Sequence, residues 1–492
     1  MENKQVKPFG IKDKLGYLFG DFGNDFTFIL SSSFLLKFYT DVMGVEAAVV
    51  GIVMMVARFV DAFTDVAMGR ICDRSKFTKH GKFKPWIRRM CGPVAIASFL
   101  IYQSSLANLP SAAKIAYLFV TYILWGSVFY TSINIPYGSM ASAISNDPGD
   151  RQSLSTFRTM GGMLAGAFVS VGIPMFVYDK IPQLDEAGQA ILDPVTGEAL
   201  TVDIMNGGKF TLIAGIFSVL AVICYLLCFY LTTERVKSVA SVDAQQNNNV
   251  FAMLKNAVKN RALISIIAAS IVMLLAQLTM QQMVNYVFPD YYGDGQKQGI
   301  ATLAMGAGMM IAAVISKPLV KKFGKAEVSI VSNLFAGIGS FILFLVRPQS
   351  IWVYVAFQAV AWLGLGVFSM VNWALITDVI DYSEIKNGIR EDGSVYALYS
   401  FARKLGQAAS SGLSGALLTM IGYNELAAQQ GLGQTQAVKD GIFNISTLVP
   451  TVGFILLALI LWFWYPLKKK VVDKNVEILA AKHASEEDSA AE

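Results

Sequence analysis

Long apolar runs alternate with short polar breaks along the whole chain. A helix rising 1.5 Å per residue needs about 20 apolar residues to cross a bilayer, and most of the runs reach that length. The pattern predicts twelve spans, at about 15–41, 46–69, 87–107, 112–144, 154–178, 210–232, 262–288, 298–319, 326–346, 350–378, 394–421 and 443–466, with broken segments near Pro289 and Asn372. Residues 179–209 and 422–442 are too hydrophilic for the bilayer and are expected as external loops. Residues 233–261, with the run Gln245-Gln246-Asn247-Asn248-Asn249, read as an internal linker. The expected organisation is a six-helix half at 1–232, the linker at 233–261, a second six-helix half at 262–466 and a tail at 467–492.

Composition agrees with this all-α polytopic reading. Of 492 residues 54% are hydrophobic and 15% charged, with a mean hydropathy of +0.50, whereas soluble domains carry about 25% charged residues. A secreted enzyme, a nucleic-acid-binding module and a disordered scaffold are excluded. Lys and Arg gather before the first span and after the second (Arg70, Arg74, Lys76, Lys79, Lys82, Lys84, Arg88, Arg89), sixth, eighth and twelfth. The positive-inside rule then places both termini in the cytoplasm. These clusters also suit anionic lipid, but topology accounts for them more simply. Four cysteines and two histidines imply neither a disulfide framework nor a histidine metal site. The N-terminal stretch lacks the short apolar core of a removable signal peptide. HExxH, Walker and GxSxG signatures are missing, so no enzyme and no cofactor are expected. The expected partners are the bilayer and a small solute, with no nucleic acid, and the chain is expected to act as a monomer.

Charges inside the spans carry the chemistry. An ionised side chain at the centre of a membrane helix costs about 2.5–3.5 kcal/mol on insertion scales, so each one is a functional candidate. In the second span, spacings of three and four put Arg58, Asp61 and Asp65 on one helix face. Two acids one turn apart repel unless a cation or a proton sits between them, which suits a Na⁺ or H⁺ site. The plainer alternative is an ion-pair cluster that holds helices together. The first span carries Asp21 and Asp25; Asp25 lies deeper and is the better candidate, with Asp21 an interfacial anchor. The fifth span carries Arg158 and the eleventh Arg403 and Lys404. Carboxylates facing guanidinium suit the hydroxyls of a sugar, and Trp125, Tyr130 and Trp373 offer faces for its ring, although packing explains each aromatic equally well.

The halves echo each other, with Asn134-Ile-Pro-Tyr ending the fourth span and Asn372-Trp-Ala-Leu ending the tenth. Two such repeats joined by a linker suit a transporter that exposes one site alternately. Several segments then resemble the glycoside–pentoside–hexuronide:cation symporters, the melibiose permease group of the major facilitator superfamily, across roughly residues 9–466. They are Lys14-Leu-Gly-Tyr, Gly-Asn24-Asp25, Tyr39-Thr-Asp-Val-Met-Gly, Ala57-Arg58-Phe-Val-Asp61-Ala-Phe-Thr64-Asp65, Gly81-Lys-Phe-Lys-Pro-Trp86, Tyr130-Thr131-Ser-Ile-Asn134-Ile-Pro136 and, in the loop before helix eleven, Asp381-Tyr-Ser-Glu384.

The resemblance implies a major facilitator fold and cation-coupled symport of a galactoside, xyloside or glucuronide into the cell. It implies that Asp61 and Asp65 bind the coupling cation, with Thr131 and Thr64 as further oxygens. Asp25, Arg158, Asn134 and Tyr130 match sugar-binding positions, and Arg58 and Lys404 fall in the coupling network. Asp73 and Arg74 belong to a turn like the superfamily's gating loop. Two positions depart from the pattern: Asn134 stands where melibiose permease has an aspartate, and Thr64 where an asparagine assists sodium selection. The second departure favours H⁺ over Na⁺. The chain ends without the soluble domain some relatives append, and its acidic tail (Glu486-Glu487-Asp488) is expected to be disordered. A lysolipid or other amphiphile carrier of the same fold, or a sugar sensor, are the alternatives; the acid pair argues against the sensor and Asp25 with Arg158 against the lipid.

Overall fold

The structure is a computed structural model that describes residues 8–185, 188–194, 196–236, 260–387, 392–430 and 432–479. The polar run 245–249, most of the linker and the acidic tail lie outside the described residues. The membrane helices are α1 (11–41), α2 (Ala47–Arg74), α3 (Lys84–Ile101), α4 (Ser111–Ile144), α5 (Pro148–Val177), α6 (Gly207–Leu231), α7 (Arg261–Tyr291), α8 (Gln298–Phe323), α9 (Lys325–Val346), α10 (Ile351–Asn387), α11 (Asp392–Met420) and α12 (Gln436–Trp464). Among the described residues, nine helices are long and apolar enough to cross a membrane on composition alone. The other three, α1, α3 and α11, hold charges such as Asp21, Asp25, Arg88, Arg403 and Lys404.

Among the described residues, four helices contain a π-helical turn: Leu30–Phe34 in α1, Leu124–Tyr130 in α4, Val287–Tyr291 in α7 and Ile460–Trp464 in α12. Such turns leave backbone groups partly unpaired and re-aim side chains, and they recur at functional sites. The interruption expected near Pro289 is the π turn of α7. The interruption expected near Asn372 is absent: α10 runs on for 37 residues, and the Asn372 amide is taken up sideways by Ser270 at 3.4 Å and by Tyr399. Asp381-Tyr-Ser-Glu384, expected in a loop, lies in the last turns of α10. The expected loop 179–209 holds an antiparallel hairpin, β1 (Tyr178–Pro182) and β2 (Thr201–Met205), which pairs Tyr178 with Met205 and Pro182 with Thr201. The loop expected at 422–442 is shorter, because α12 already begins at Gln436.

The chain divides into two compact units. The first comprises Met1–Ala244, Val284–Ile300 and Ser414–Ile442, and so takes in α1–α6, the end of α7 and the end of α11. Its helices approach closely at glycines: a Cβ on Gly20 would stand 2.2 Å from the Tyr137 ring and one on Gly161 2.4 Å from the Leu18 carbonyl oxygen. Small residues at these crossings let backbones pack without lipid between them. The second unit comprises Gln245–Met283, Ala301–Leu413 and Phe443–Glu492. Its core is built on Phe368, Leu375, Tyr399, Phe454 and Leu461, all fully buried.

Candidate functional site

In the first unit α2 faces the π turn of α4. Ser127 donates to Asp61 Oδ1 at 2.5 Å, and Arg58 holds Asp61 Oδ2 at 3.3 Å. Thr131 bonds Asp65 Oδ1 at 2.7 Å, with the Gly126 carbonyl 3.1 Å away. A Cβ on Gly126 would meet Asp61 Oδ1 at 3.3 Å, so a larger residue would crowd the carboxylate. Arg58 is itself sandwiched, 5.1 Å from the Phe28 ring centroid and 6.0 Å from that of Tyr122. The arrangement keeps Arg58, Asp61 and Asp65 on the one helix face that their spacing led one to expect, brings in Thr131 as the resemblance implied, and adds Ser127. Thr64 turns away, donating to the Asp61 carbonyl of its own helix at 3.2 Å. Among the described residues, no group of three or more His, Cys, Asp or Glu side chains is placed to hold a metal ion.

A second polar cluster forms where α5 crosses α1. Arg158 Nε donates to Asp21 Oδ1 at 2.9 Å, and its guanidinium lies 5.3 Å from the Tyr137 ring centroid. Asp21 was expected as an interfacial anchor. Instead it is 8% exposed and is the residue that Arg158 binds, because one helical turn later on α5 a glycine admits the carboxylates. A Cβ on Gly162 would stand 2.6 Å from Asp25 Oδ2 and 3.1 Å from Asp21 Oδ2. Asn134 accepts from Asn24 at 3.4 Å, and Asn24 accepts from Tyr225 at 2.8 Å. Tyr130 lies half-buried between Phe28 (centroids 5.7 Å apart) and Trp125 (5.4 Å). The α1, α4 and α5 faces therefore present carboxylate, amide, guanidinium and aromatic groups together, the donor and acceptor mixture a polyol needs.

The gating-loop residues Asp73 and Arg74 are exposed at the end of α2, with the Lys82 ammonium on the Asp73 carbonyl at 3.0 Å. Gly81 has φ +106 and no room for a Cβ, which would collide with the Glu234 carboxylate. That carboxylate accepts the backbone N–H groups of Lys82 (2.6 Å), Phe83 (2.9 Å) and Lys84 (2.7 Å), capping α3. Burial raises the Glu234 carboxyl above its ordinary value, and the three N–H groups oppose that rise. The Gly81-to-Trp86 segment thus holds a half-buried acid. Lys404 is half-buried on α11 in the second unit, beside Arg403.

One cluster escaped the sequence reading. Lys37, 1% exposed, reaches Asp290 at 2.5 Å, Asp41 at 2.7 Å and the Tyr423 hydroxyl at 3.0 Å, under the Tyr286 ring at 4.3 Å. A lysine inside an apolar run was the available signal. Its partners are remote in sequence, so spacing did not connect them.

Helices of this number, with carboxylates, an arginine and hydroxyls buried among them, define a polytopic membrane transporter and not an enzyme. The family model for MFS/sugar transport proteins matches residues 16–469, and the chain belongs to that family. It is 31% identical over 473 residues to the glucuronide carrier protein homolog of Escherichia coli (strain K12), covering 94% of both chains. It is 28% identical over 488 residues to the isoprimeverose transporter of Lactiplantibacillus pentosus, covering 98% of this chain and 94% of that one. Its fold is that of a solved D-xylose–proton symporter, with TM-score 0.59 at 16% identity over 93% of this chain and 98% of the other. The protein is a multi-pass membrane transporter of sugars or glycosides.

Proposed function

We propose that the chain imports its sugar by symport with a monovalent cation, H⁺ in preference to Na⁺. One observation carries this reading: Asp61 and Asp65, one turn apart, share the α2 face with Arg58 and touch the hydroxyls of Ser127 and Thr131 beside a π-helical turn. Two carboxylates one turn apart repel unless a cation or a proton sits between them, which supports a monovalent coupling ion. The hydroxyl of Thr64 is engaged with its own backbone, and no amide stands at that position, which supports the proton. The sugar is bound by Asp25, Arg158, Asn134 and Tyr130, with Asp21 orienting the guanidinium. The transporter works as a monomer in a bacterial inner membrane, as the bacterial relatives suggest, and the distribution of Lys and Arg puts both termini in the cytoplasm.

The test is uptake into membrane vesicles under imposed H⁺ or Na⁺ gradients. Asp61→Asn and Asp65→Asn each abolish accumulation against a gradient while keeping sugar exchange, because the acid serves the ion more than the sugar. Full accumulation in both variants refutes the assignment.

A further inference from the structure

Topology accounts for the Lys and Arg that follow α2 as a group, but not for where two of them stand. Within the first unit α3 and α6 pack in opposite directions, Phe99 meeting Gly215 towards one end and Arg88 meeting Phe229 at the other. Between them lies an open groove of about 940 Å³. Its walls are apolar, with Gly92, Ile96 and Phe99 on α3 and Leu212, Ile216 and Val219 on α6. Ile96, Leu212, Ile216 and Val219 are all exposed, so in a membrane this face is turned to lipid. The α6 wall runs from Gly208 to Val222, roughly 21 Å at 1.5 Å per residue, and the tails of one leaflet span half of a core about 30 Å thick. One acyl chain therefore fits along it. A glycine makes part of the room, since a Cβ on Gly92 would meet nothing within 4 Å.

The groove is charged at one end only. Arg88, Gly92, Ile96 and Phe99 follow helical spacings of four, four and three, so Arg88 heads the α3 wall about 6 Å beyond Gly92. Its guanidinium lies 5.6 Å from the ring centroid of Phe229, two turns past Val222 on α6. The Lys84 ammonium, 5.0 Å from the same ring, is engaged by the Thr232 carbonyl. A ring contact takes up none of the five N–H donors of Arg88. Arg88 and Arg89 are both exposed, and among the described residues neither forms a salt bridge. Glu234, which lies against Lys84, accepts from the backbone of residues 82–84 instead. Two guanidinium forks at the mouth of a chain-sized apolar groove match a phosphate with a tail below it.

We propose that the α3–α6 groove binds an anionic phospholipid, with one acyl chain along its walls and the phosphate held by Arg88 and Arg89. A zwitterionic lipid fits the same walls but brings its own cation beside two arginines, so the headgroup sets the preference. The site is separate from the polar clusters of α1, α2, α4 and α5, and it stands whatever sugar or ion is carried.

The experiment uses the purified full chain in phosphatidylcholine nanodiscs. A trace of phosphatidylglycerol carrying a diazirine in one acyl chain is added, or the matching phosphatidylcholine probe, and crosslinked residues are read by peptide mass spectrometry after irradiation. In the parent, the phosphatidylglycerol probe is expected to label the groove walls at least about tenfold more than the phosphatidylcholine probe, and unlabelled phosphatidylglycerol to compete it away. Arg88→Gln combined with Arg89→Gln is expected to lower that labelling about ten- to thirtyfold, to the phosphatidylcholine level. Gly92→Leu, whose side chain enters open space in the groove, is expected to remove labelling of the walls by either probe while the melting temperature stays at or above the parent's. Equal labelling by both probes in the parent means ordinary solvating lipid and overturns the proposal, as does phosphatidylglycerol labelling unmoved in the double arginine variant. Competition by deacylated glycerophosphoglycerol as strong as by the whole lipid makes the headgroup alone the ligand. Crosslinks joining two copies across these walls make the occupant a second copy of the chain. Either result overturns the proposal too.

Discussion

Lys37→Met removes a positive charge from a place where nothing can replace it. The ammonium lies between Asp290 at 2.5 Å and Asp41 at 2.7 Å, with 1% of the side chain exposed. Methionine keeps nearly the same volume, so packing changes little and the loss is electrostatic. Deleting one partner of a buried ion pair costs about 3–5 kcal/mol, because the carboxylate left behind has neither water nor a counter-charge. Here two carboxylates are left, which puts the cost at the upper end. Asp41 keeps hydroxyl donors at 2.8 Å from both Thr40 and Tyr423, whereas the Asp290 carboxylate leans on Lys37. Adding Asp290→Asn to Lys37→Met therefore restores most of the stability. The assay is thermal unfolding of the detergent-purified protein with a thiol-reactive fluorophore, since all four cysteines (Cys72, Cys91, Cys224 and Cys228) are buried and become reactive on unfolding. For a chain of this size the single variant should melt roughly 5–10 °C below the parent, by extrapolation from smaller domains. A single variant as stable as the parent, or a double variant no better than the single, refutes the reasoning.

Gly162→Ala places a methyl 2.6 Å from Asp25 Oδ2, so it is expected to displace the carboxylate and weaken sugar binding by at least about tenfold without unfolding the protein, as equilibrium binding of labelled sugar would report. Asp203, on the β1–β2 hairpin, has its carboxyl raised above the ordinary value chiefly by burial, with the Gly295 N–H opposing and one oxygen without a hydrogen-bond partner among the described residues. Because the folded value exceeds the unfolded one, the native state holds its proton to higher pH, and stability is lost as pH rises upward from about 4 through the folded value. Melting temperatures of the parent should therefore fall relative to Asp203→Asn between about pH 4 and 7, and parallel profiles would discount the buried carboxylate.

How much of this was written legibly in the chain depends on whether a residue's partner is near it in sequence. Arg58, Asp61 and Asp65 follow helical spacing, so their shared face was readable, and the carboxylates do lie on the side of α2 that meets α4. Apolar length gave the twelve helices for the same local reason. Ser127 was not readable, because an α-helical count along α4 does not describe a segment that turns as a π-helix from Leu124 to Tyr130. Asp21 was misread because its depth was judged from the predicted end of a span, while its burial comes from α5 pressing on α1 at Gly161 and Gly162. The hairpin at 178–205 was hidden by its composition, which is that of a loop, and is held by its own ladder and by contacts such as Asp203 with Gly295.

The misreadings share a physical cause that bears on how such a protein works. In a membrane helix the apolar pattern reports where lipid is, and says little of what lies on the inner face. That face is fixed by close approach, and close approach is fixed by glycines and π turns, which hydropathy does not register. In α4 the π turn puts Ser127 on Asp61 and leaves Thr131 on Asp65, so two hydroxyls four residues apart serve two carboxylates four residues apart on α2. An ion that draws Asp61 and Asp65 together would therefore pull at once on the middle of that turn and on the residue that follows it. Tyr130, within the turn, and Asn134, one turn beyond, lie on the same helix as the hydroxyls. On the proposed reading, ion and sugar would be linked through one short, loosely wound stretch of α4, over a distance that helix geometry would transmit without a longer relay.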